Sequence, residues 1–253
     1  MASSIDSGHE LRGGNDDDGN RDRGGADQGA RLAAALPGDT FAQVCGLGGL
    51  AHDVVVGDGA ALWRGSPWGD SWVGGGTPDA LAALVEQVRP PDLTAPASVG
   101  LPAGYRSGWG WGWHATRTAP PHQSGEESVG RLASDDPDLA DLVARAFPDA
   151  ETPPGDPRIA WWFGARREGR LVSAAAALRL ADGAAVLSSL TVDPDVRRAG
   201  WARAVTSWFV RDQLAAGASV VGLGTYLTNE PARALYLRLG FADVPYAGGV
   251  REA

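Results

Sequence analysis

The stretch Leu190-Thr-Val-Asp-Pro-Asp-Val-Arg-Arg-Ala-Gly-Trp-Ala202 decides the fold of this chain. An apolar strand runs into a short loop, and an amphipathic helix is predicted to begin directly after that loop. The loop holds Arg197-x-x-Gly200-x-Ala202, with small residues where the backbone must turn tightly. Backbone N–H groups at a helix start point outward, and the helix dipole adds positive potential there. The stretch therefore predicts a strand–loop–helix unit that can hold a phosphate or pyrophosphate.

A second informative stretch is Asn229-Glu-Pro-Ala-Arg-Ala-Leu-Tyr-Leu-Arg-Leu-Gly-Phe241, which follows a buried strand predicted over 219–224. Its apolar residues recur at helical spacing and so lie on one helix face: Ala232, Leu235, Tyr236 and Leu239. Gly240 closes the helix. From Ser128 onward the predicted order is β-α-β-β-β-α-β-α-β, which indicates a mixed α/β layer with helices on the faces of a sheet.

Together these two stretches resemble the GNAT superfamily of acyl-CoA-dependent N-acetyltransferases. The elements V-x-P-x-x-R-x-x-G-x-A and N-x-x-A-x-x-L-Y-x-x-x-G-F match that superfamily in type, order and spacing. The resemblance covers about half of the chain and implies a GNAT-like acyltransferase fold for residues 123–253. It also implies that an acetyl group passes from acetyl-CoA, the co-substrate, to a primary amine of a small molecule or peptide. The amine would attack directly in a ternary complex.

The resemblance also implies roles for individual residues. The amides from Arg198 to Ala202 would bind the pyrophosphate, and the backbone of Leu190 and Val192 would pair with the pantetheine arm. An amide there would polarise the thioester carbonyl. The residues expected to bind the cofactor are Leu190, Val192, Arg197, Arg198, Ala199, Gly200, Trp201, Ala202 and Asn229. Ala199 departs from the family pattern, because relatives often carry a basic residue there.

Two of these residues have alternative explanations. By resemblance, Asn229 contacts the pantetheine arm and Tyr236 is the catalytic acid that protonates the departing thiolate. Asn229 is also a competent helix cap without any ligand, and Tyr236 could be only a core aromatic side chain. A neutral phenol suits the acid role, since its reference pKa of about 10 keeps it protonated at neutral pH.

The general base is not evident in the sequence. Many relatives use a glutamate on the strand before the phosphate loop, whereas the strand over 184–191 carries no carboxylate. Either a water held by Ser188, Ser189 or Thr191 relays the proton, or a carboxylate from elsewhere accepts it, with Glu126 and Glu127 as candidates. The alternative function is a non-catalytic acyl-CoA-binding regulatory module that kept the fold and lost the base.

The N-terminal half has a different character. Residues 1–30 are rich in Gly, Asp, Asn and Ser, and we expect a disordered acidic tail there. Residues 31–122 form a smaller α/β region, with a hairpin around Gly57-Asp-Gly59, a helix over 77–88 and a strand over 107–118. This region could be a degenerate copy of the GNAT-like fold, although no second phosphate loop occurs in it.

The predicted strand over 107–118 is unusual because Trp109, Trp111 and Trp113 alternate with glycines. Period two places the three indoles on one face of the strand. They either form a core face packed against a helix or line a substrate pocket. His114, which follows directly, is expected to be a packed or exposed histidine rather than a catalytic one.

Composition excludes several classes of protein. The net charge of −9 argues against binding to nucleic acid, although it suits a cationic amine such as a polyamine, an aminoglycoside or a peptide amine. One Cys and four scattered His predict no disulfide framework and no metal site. No apolar run is long enough for a membrane span, so a cytoplasmic protein is expected. Neither a complete dinucleotide-binding fingerprint nor a hydrolase nucleophile elbow is present.

Overall fold

The computed structural model describes residues 18–133, 135–181 and 183–252. Its helices are α1 Asp18–Ala35, α2 Thr40–Leu47, α3 Pro78–Val88, α4 Pro137–Ala146, α5 Trp201–Ala215 and α6 Glu230–Arg238. Its strands are β1 His52–Gly57, β2 Ala60–Ser66, β3 Gly69–Gly76, β4 Asp92–Pro96, β5 Tyr105–Thr116, β6 Val129–Leu132, β7 Ile159–Arg167, β8 Arg170–Leu178, β9 Ala184–Val192, β10 Val220–Tyr226 and β11 Ala242–Arg251. This mixed α/β architecture confirms the predicted fold class.

All of these strands belong to one sheet, in the order β1-β2-β3-β4-β11-β5-β10-β9-β8-β7-β6. The two halves of the chain exchange strands at its centre. Strand β5, from the N-terminal half, pairs with β10, whereas β11, from the C-terminal half, pairs with β4. The exchanged strands β5 and β11 also pair with each other along their whole length. The predicted regions 31–122 and 123–253 are therefore joined by continuous backbone hydrogen bonding.

The helices cover both faces of this sheet. Helices α1, α2 and α4 share one core, which contains Leu32, Phe41 and Leu142. On the opposite face, α3 packs over β2 in the N-terminal half, and α5 and α6 pack over the strands of the C-terminal half. Adjacent residues of one strand divide between these cores, as Trp162 and Phe163 of β7 do, which is the period expected of a strand that is buried on both sides.

The N-terminal half differs from the sequence-based expectation in three respects. Residues 1–17 of the predicted acidic tail lie outside the described residues, but α1 begins at Asp18 and includes the remainder of that segment. Helix α1 is fixed at its C-terminal end, because Leu32 is buried and the side chain of Gln28 accepts a hydrogen bond from the Val54 amide. Helix α2 and strands β3 and β4 were not predicted. Strand β3 is glycine-rich and β4 is short and ends in proline, so neither gives a strong strand pattern.

No helix in the described ranges combines the length and apolarity that crossing a bilayer requires.

Candidate active site

The site begins where two parallel strands separate. Strands β9 and β10 pair from Ala184 and Val220 as far as Leu187 and Leu223, although both strands continue beyond that point. The separation coincides with an irregularity in β9, where Ser189 has a φ of 51° and the register with β8 shifts by one residue. This bulge bends β9 away from β10. The edge of β9 beyond Leu187 is therefore left without β10 as its partner and faces a gap in the sheet.

The loop between β9 and α5 is anchored by a buried carboxylate. The side chain of Asp193 accepts hydrogen bonds from the Asp195 amide at 3.0 Å and from the guanidinium groups of Arg145 and Arg170 at 3.3 and 2.5 Å. Burial alone would raise the pKa of Asp193, but the Asp195 amide and the two arginines outweigh it and hold that pKa below its usual value. Asp193 therefore fixes the first residue of the loop as a charged, hydrogen-bonded anchor.

The end of the same loop exposes the start of helix α5. Gly200 is the N-cap residue with a φ of 92°, and no side chain caps the first turn of α5. Because Gly200 has no side-chain oxygen, it offers no competing acceptor to the amides of that turn. An L-residue at this φ would be strained, which explains why the position suits glycine. The arrangement leaves a row of backbone donors at the positive end of the helix dipole.

These donors open into a groove of about 1130 Å³, which we call the arginine groove. All nine residues predicted to bind the cofactor line it, together with Tyr236. Its charged lining residues are Arg197, Arg198, Arg203, Arg238 and Glu230. The groove thus has four arginines and one glutamate, and it lies beside a helix start without a side-chain cap. This positive charge and these free amides suit a phosphorylated ligand of extended shape. The residues present therefore fit the pyrophosphate end of a coenzyme A molecule.

A second cavity, of about 340 Å³, lies on the other side of the gap and is called the aromatic cavity here. Its aromatic lining residues are Phe41, Trp68, Trp109, Trp111, Phe147, Tyr226 and Tyr236. Its serine and threonine residues include Ser66, Ser71, Thr94, Ser188, Ser189 and Thr225. The N-terminal half supplies nine of the 21 lining residues, from α2, the β2–β3 hairpin, β4 and β5, and these include four of the seven aromatic residues.

The two spaces meet at a small group of residues. Phe147, Leu190, Asn229 and Tyr236 line both the arginine groove and the aromatic cavity. The phenol of Tyr236 is 5% exposed and packs against His114 and Phe241. Burial raises the pKa of Tyr236, so its hydroxyl stays protonated at neutral pH. Tyr236 is therefore a core aromatic residue that also lies at the junction of the two spaces, and its role as the catalytic acid stays a prediction.

Asn229 has the capping role that the sequence allowed, and its contact with the pantetheine arm stays a prediction. It is the N-cap of α6, and its side-chain oxygen accepts a hydrogen bond from the Ala232 amide at 3.3 Å. It also lines both spaces, so capping places this carboxamide at their junction.

Both carboxylates predicted as candidates for the general base lie outside the arginine groove and the aromatic cavity. Glu126 is buried away from both spaces, where it accepts a hydrogen bond from the Gln123 amide and lies 3.6 Å from Arg211. Glu127 is exposed and accepts from the Gly125 amide, again outside both spaces. Their proximity in sequence is therefore not proximity to the site.

Ser188, Ser189 and Thr191 form a buried hydroxyl network with Thr152. The Thr152 hydroxyl donates to Ser188 at 2.8 Å, Ser189 donates to the Thr152 carbonyl, and Thr191 donates to the Ser189 carbonyl. The protons of Ser189 and Thr191 are thus used within the protein. Ser188 and Ser189 both line the aromatic cavity, and Ser188, which accepts its bond from Thr152, keeps its own proton to hold a water.

No pattern in the sequence points to Glu151, the single carboxylate among the described residues that line the aromatic cavity. It lies in the loop after α4, and its backbone carbonyl accepts a hydrogen bond from Arg158 at 2.7 Å. That loop is proline-rich and gives no pattern that points to a site. Only the packing of the loop against β9, through Thr152, brings Glu151 to the cavity.

The tryptophans of β5 divide between the two roles that the sequence left open. Trp113 is buried in the core, where it covers Gly222 and its indole N–H donates to the Thr40 hydroxyl at 2.9 Å. Trp109 and Trp111 instead line the aromatic cavity. His114, on the other face of the strand, is fully buried, and burial lowers its pKa, which agrees with the packed role expected for it.

Comparison with known proteins again distinguishes the C-terminal half of the chain from the N-terminal half. Residues 135–241 match the model of the acetyltransferase (GNAT) family. No functionally curated protein matches the sequence. In fold, the chain is similar to a GCN5-related N-acetyltransferase from Kribbella flavida, with 18% identity, a TM-score of 0.53, and coverage of 89% of this chain and 96% of that chain. It is also similar to a GCN5-related N-acetyltransferase from Sphaerobacter thermophilus, with 17% identity, a TM-score of 0.51, and coverage of 90% of this chain and 93% of that chain.

At these identities the structural comparisons concern the fold alone, and they extend it over both halves of the chain. The family match covers the segment that contains β9, the loop, α5 and α6, which are the elements that build the arginine groove. The chain therefore carries a GNAT acetyltransferase domain at residues 135–241.

Proposed function

We propose that this protein is an N-acetyltransferase that moves an acetyl group from acetyl-CoA to the primary amine of a small molecule or peptide. The observation that supports this most directly is the meeting of the arginine groove and the aromatic cavity at Tyr236. A reaction between two bound molecules requires two compartments that share one reacting point. The coenzyme supplies the activated acetyl thioester, and the amine supplies the nucleophile.

The arginine groove holds the coenzyme in this proposal. Amides from Arg198 to Ala202 donate to the pyrophosphate, and Arg197 and Arg198 add positive charge beside it. The edge of β9 at Leu190 and Val192 pairs with the pantetheine arm, because β10 leaves that edge unpaired. Asn229 contacts the same arm from the start of α6.

The chemistry takes place where the two spaces meet. The amine nitrogen attacks the thioester carbonyl in a ternary complex, so a C–N bond forms and the C–S bond breaks. The backbone amide of Leu190, next to the bulge, stabilises the oxyanion. Tyr236 donates its phenolic proton to the departing sulfur. Before the attack the substrate's ammonium group passes one proton through water to Glu151, which leaves a neutral amine as the nucleophile. The second proton that the nitrogen loses as the amide forms returns to Tyr236.

Replacement of Tyr236 with phenylalanine tests the proposal. We expect Tyr236→Phe to lower kcat about 100-fold, the range of general acid catalysis, and to leave the Kd for acetyl-CoA unchanged, because the phenyl ring keeps its packing. Thiol release measured with a panel of amines gives kcat, and calorimetry gives Kd. Tyr105→Phe is the matched control, since that phenol bonds to the Pro90 carbonyl, outside both spaces.

Two results would contradict the proposal in different ways. Unchanged kcat in Tyr236→Phe would remove Tyr236 from the acid role. Tight binding of acetyl-CoA by the unaltered protein, without acetylation of any amine in the panel, would support the non-catalytic acyl-CoA-binding module instead.

A further inference from the structure

The aromatic cavity has a wall of rings that hold one another in place. Trp68 and Trp111 lie with ring centroids 5.0 Å apart, and Phe41 contacts both of them at 6.1 and 5.1 Å. Trp111 stacks on Tyr246 at 4.9 Å. Such edge and stacked contacts fix ring orientation. The wall is therefore a preformed surface and not a set of loosely placed side chains.

Glycines in the neighbouring strands provide the space for these rings. A Cβ atom built on Gly224 of β10 would lie 2.8 Å from the Trp68 ring, and one on Gly248 of β11 would overlap the Trp109 ring. The indoles consequently lie directly on the backbone of the sheet. Trp109 remains 42% exposed, so one part of its ring packs on the sheet and the rest is accessible to a ligand.

Two of the hydroxyl groups at this aromatic end are already engaged. Ser66 donates to the Gly69 carbonyl and accepts from the Trp68 amide, and Thr94 accepts from the Trp109 indole N–H at 3.3 Å. At the other end lie Ser188, Tyr236 and Glu151, and the Glu151 carboxylate, whose side chain is 54% exposed, is 3.9 Å from the Arg158 guanidinium. The cavity is therefore apolar at one end and polar at the end where acetyl transfer is proposed.

The charge of the lining sets a further limit on the ligand. Glu151 is the single charged side chain among the described residues of this cavity. A polyamine or an aminoglycoside carries several cationic nitrogens, and each of them would require its own partner once water is displaced. The overall charge of −9 therefore does not identify the acceptor, because Glu151 alone of the acidic residues that the structure describes lines the cavity.

Building on the proposed function, we infer that the acceptor is a small monoamine with an aromatic body, such as an arylalkylamine. Its flat ring lies against Trp68, Trp109 and Trp111, and its single ammonium group points toward Glu151 and Tyr236. The N-terminal half thereby supplies the aromatic surface for the amine, while the C-terminal half supplies the partners of its ammonium group and binds the acyl donor.

Four amines of different chemistry test this inference: 2-phenylethylamine, spermidine, kanamycin and a hexapeptide with a free N-terminus. Two quantities are measured for each amine, namely kcat/KM with acetyl-CoA and the Kd without acetyl-CoA, from calorimetry and tryptophan fluorescence. We expect 2-phenylethylamine to give the highest kcat/KM and the lowest Kd. Higher kcat/KM for spermidine, kanamycin or the peptide would overturn the inference.

Variants locate the binding on the aromatic wall. Trp109→Leu is expected to raise the Kd for 2-phenylethylamine about tenfold, as loss of one aromatic contact with a partly desolvated ligand does. Trp72→Leu is the matched control, because Trp72 lies on the same half but packs against the core on the opposite face. Glu151→Gln is expected to raise the same Kd by a similar factor. Equal effects of Trp109→Leu and Trp72→Leu would contradict the inference.

Failure of this inference can be told apart from failure of the proposed function. Binding of 2-phenylethylamine that depends on Trp109, without acetyl transfer to any amine, would support the inference and overturn the proposed function. Acetyl transfer that prefers a polycationic amine would support the proposed function and overturn the inference.

Discussion

The two halves of the sheet have the same layout around its centre. In the N-terminal half, β1, β2 and β3 form an antiparallel meander, α3 crosses over, and β4 returns parallel to β3. In the C-terminal half, β7, β8 and β9 form the same meander, α5 crosses over, and β10 returns parallel to β9. The exchanged strands β5 and β11 then lie side by side at the middle of the sheet.

The halves differ at the crossover. In the C-terminal half, residues 193–200 separate β9 from α5, whereas in the N-terminal half Thr77 alone separates β3 from α3. One residue cannot form a loop that presents several amides to an anion. We propose that residues 31–122 are a degenerate copy of the fold in residues 123–253, one that kept the meander and lost the phosphate loop. The two halves therefore share their layout, and the proposed anion site depends on the loop that the C-terminal crossover has and the N-terminal crossover lacks.

The largest expected effect comes from a change within the loop. Gly200→Asp places a carboxylate at the start of α5 and forces a strained φ, so we expect affinity for acetyl-CoA to fall about 100-fold or more. Calorimetry with acetyl-CoA measures this. Gly217→Asp is the matched control, because Gly217 also has a positive φ, of 105°, and has no neighbouring atom within 4 Å of an added Cβ. If both variants bound the coenzyme equally, the loop would not be the feature that separates the halves.

An intermediate effect is expected at the anchor of the loop. Asp193→Asn keeps an oxygen for the Asp195 amide but removes the charge that faces Arg145 and Arg170. We expect the loop to shift and the Kd for acetyl-CoA to rise about tenfold, as small displacements of binding groups do. Asp136→Asn provides the comparison, since Asp136 caps α4 and pairs with Arg166 in a similar way. A Kd that rises no more than in this control would show that Asp193 does not position the loop.

The smallest effect is expected at the corresponding position of the N-terminal half. Thr77 is the N-cap of α3 and makes no side-chain capping bond. Thr77→Asp should stabilise α3 by ~0.3–1 kcal/mol, because a carboxylate suits a helix start, and should leave the Kd for acetyl-CoA unchanged. Thermal unfolding and calorimetry measure the two quantities. Weakened coenzyme binding would mean that the N-terminal crossover also contacts the coenzyme, which would break the comparison.

The C-terminal half could be predicted closely because its signals are local. Strand β9 and helix α5 have the bounds that the sequence indicates, since an apolar run, a proline and a capping glycine mark their ends. The proposed catalytic and cofactor-binding residues came from the same local motifs, and the structure places all of them along one groove.

Most of the aromatic cavity could not be predicted, because its lining depends on tertiary pairing. The β2–β3 hairpin contributes Trp68 and the loop after α4 contributes Glu151, and neither segment carries a motif. The tryptophans of β5 reach the cavity only because β5 lies between β10 and β11. The sequence predicted the extent of β5, but it did not predict which strands would pair with β5 in the sheet.

The exchange of β5 and β11 also constrains how the chain folds during translation. Strand β4 finds its outer partner only in β11, more than a hundred positions later along the sequence. A ribosome reaches β11 after every other described strand, so the N-terminal half stays an incomplete folding unit during most of translation. Contacts this distant in sequence slow folding, and a nascent chain that pauses before β11 would carry an unpaired strand edge open to association with other chains.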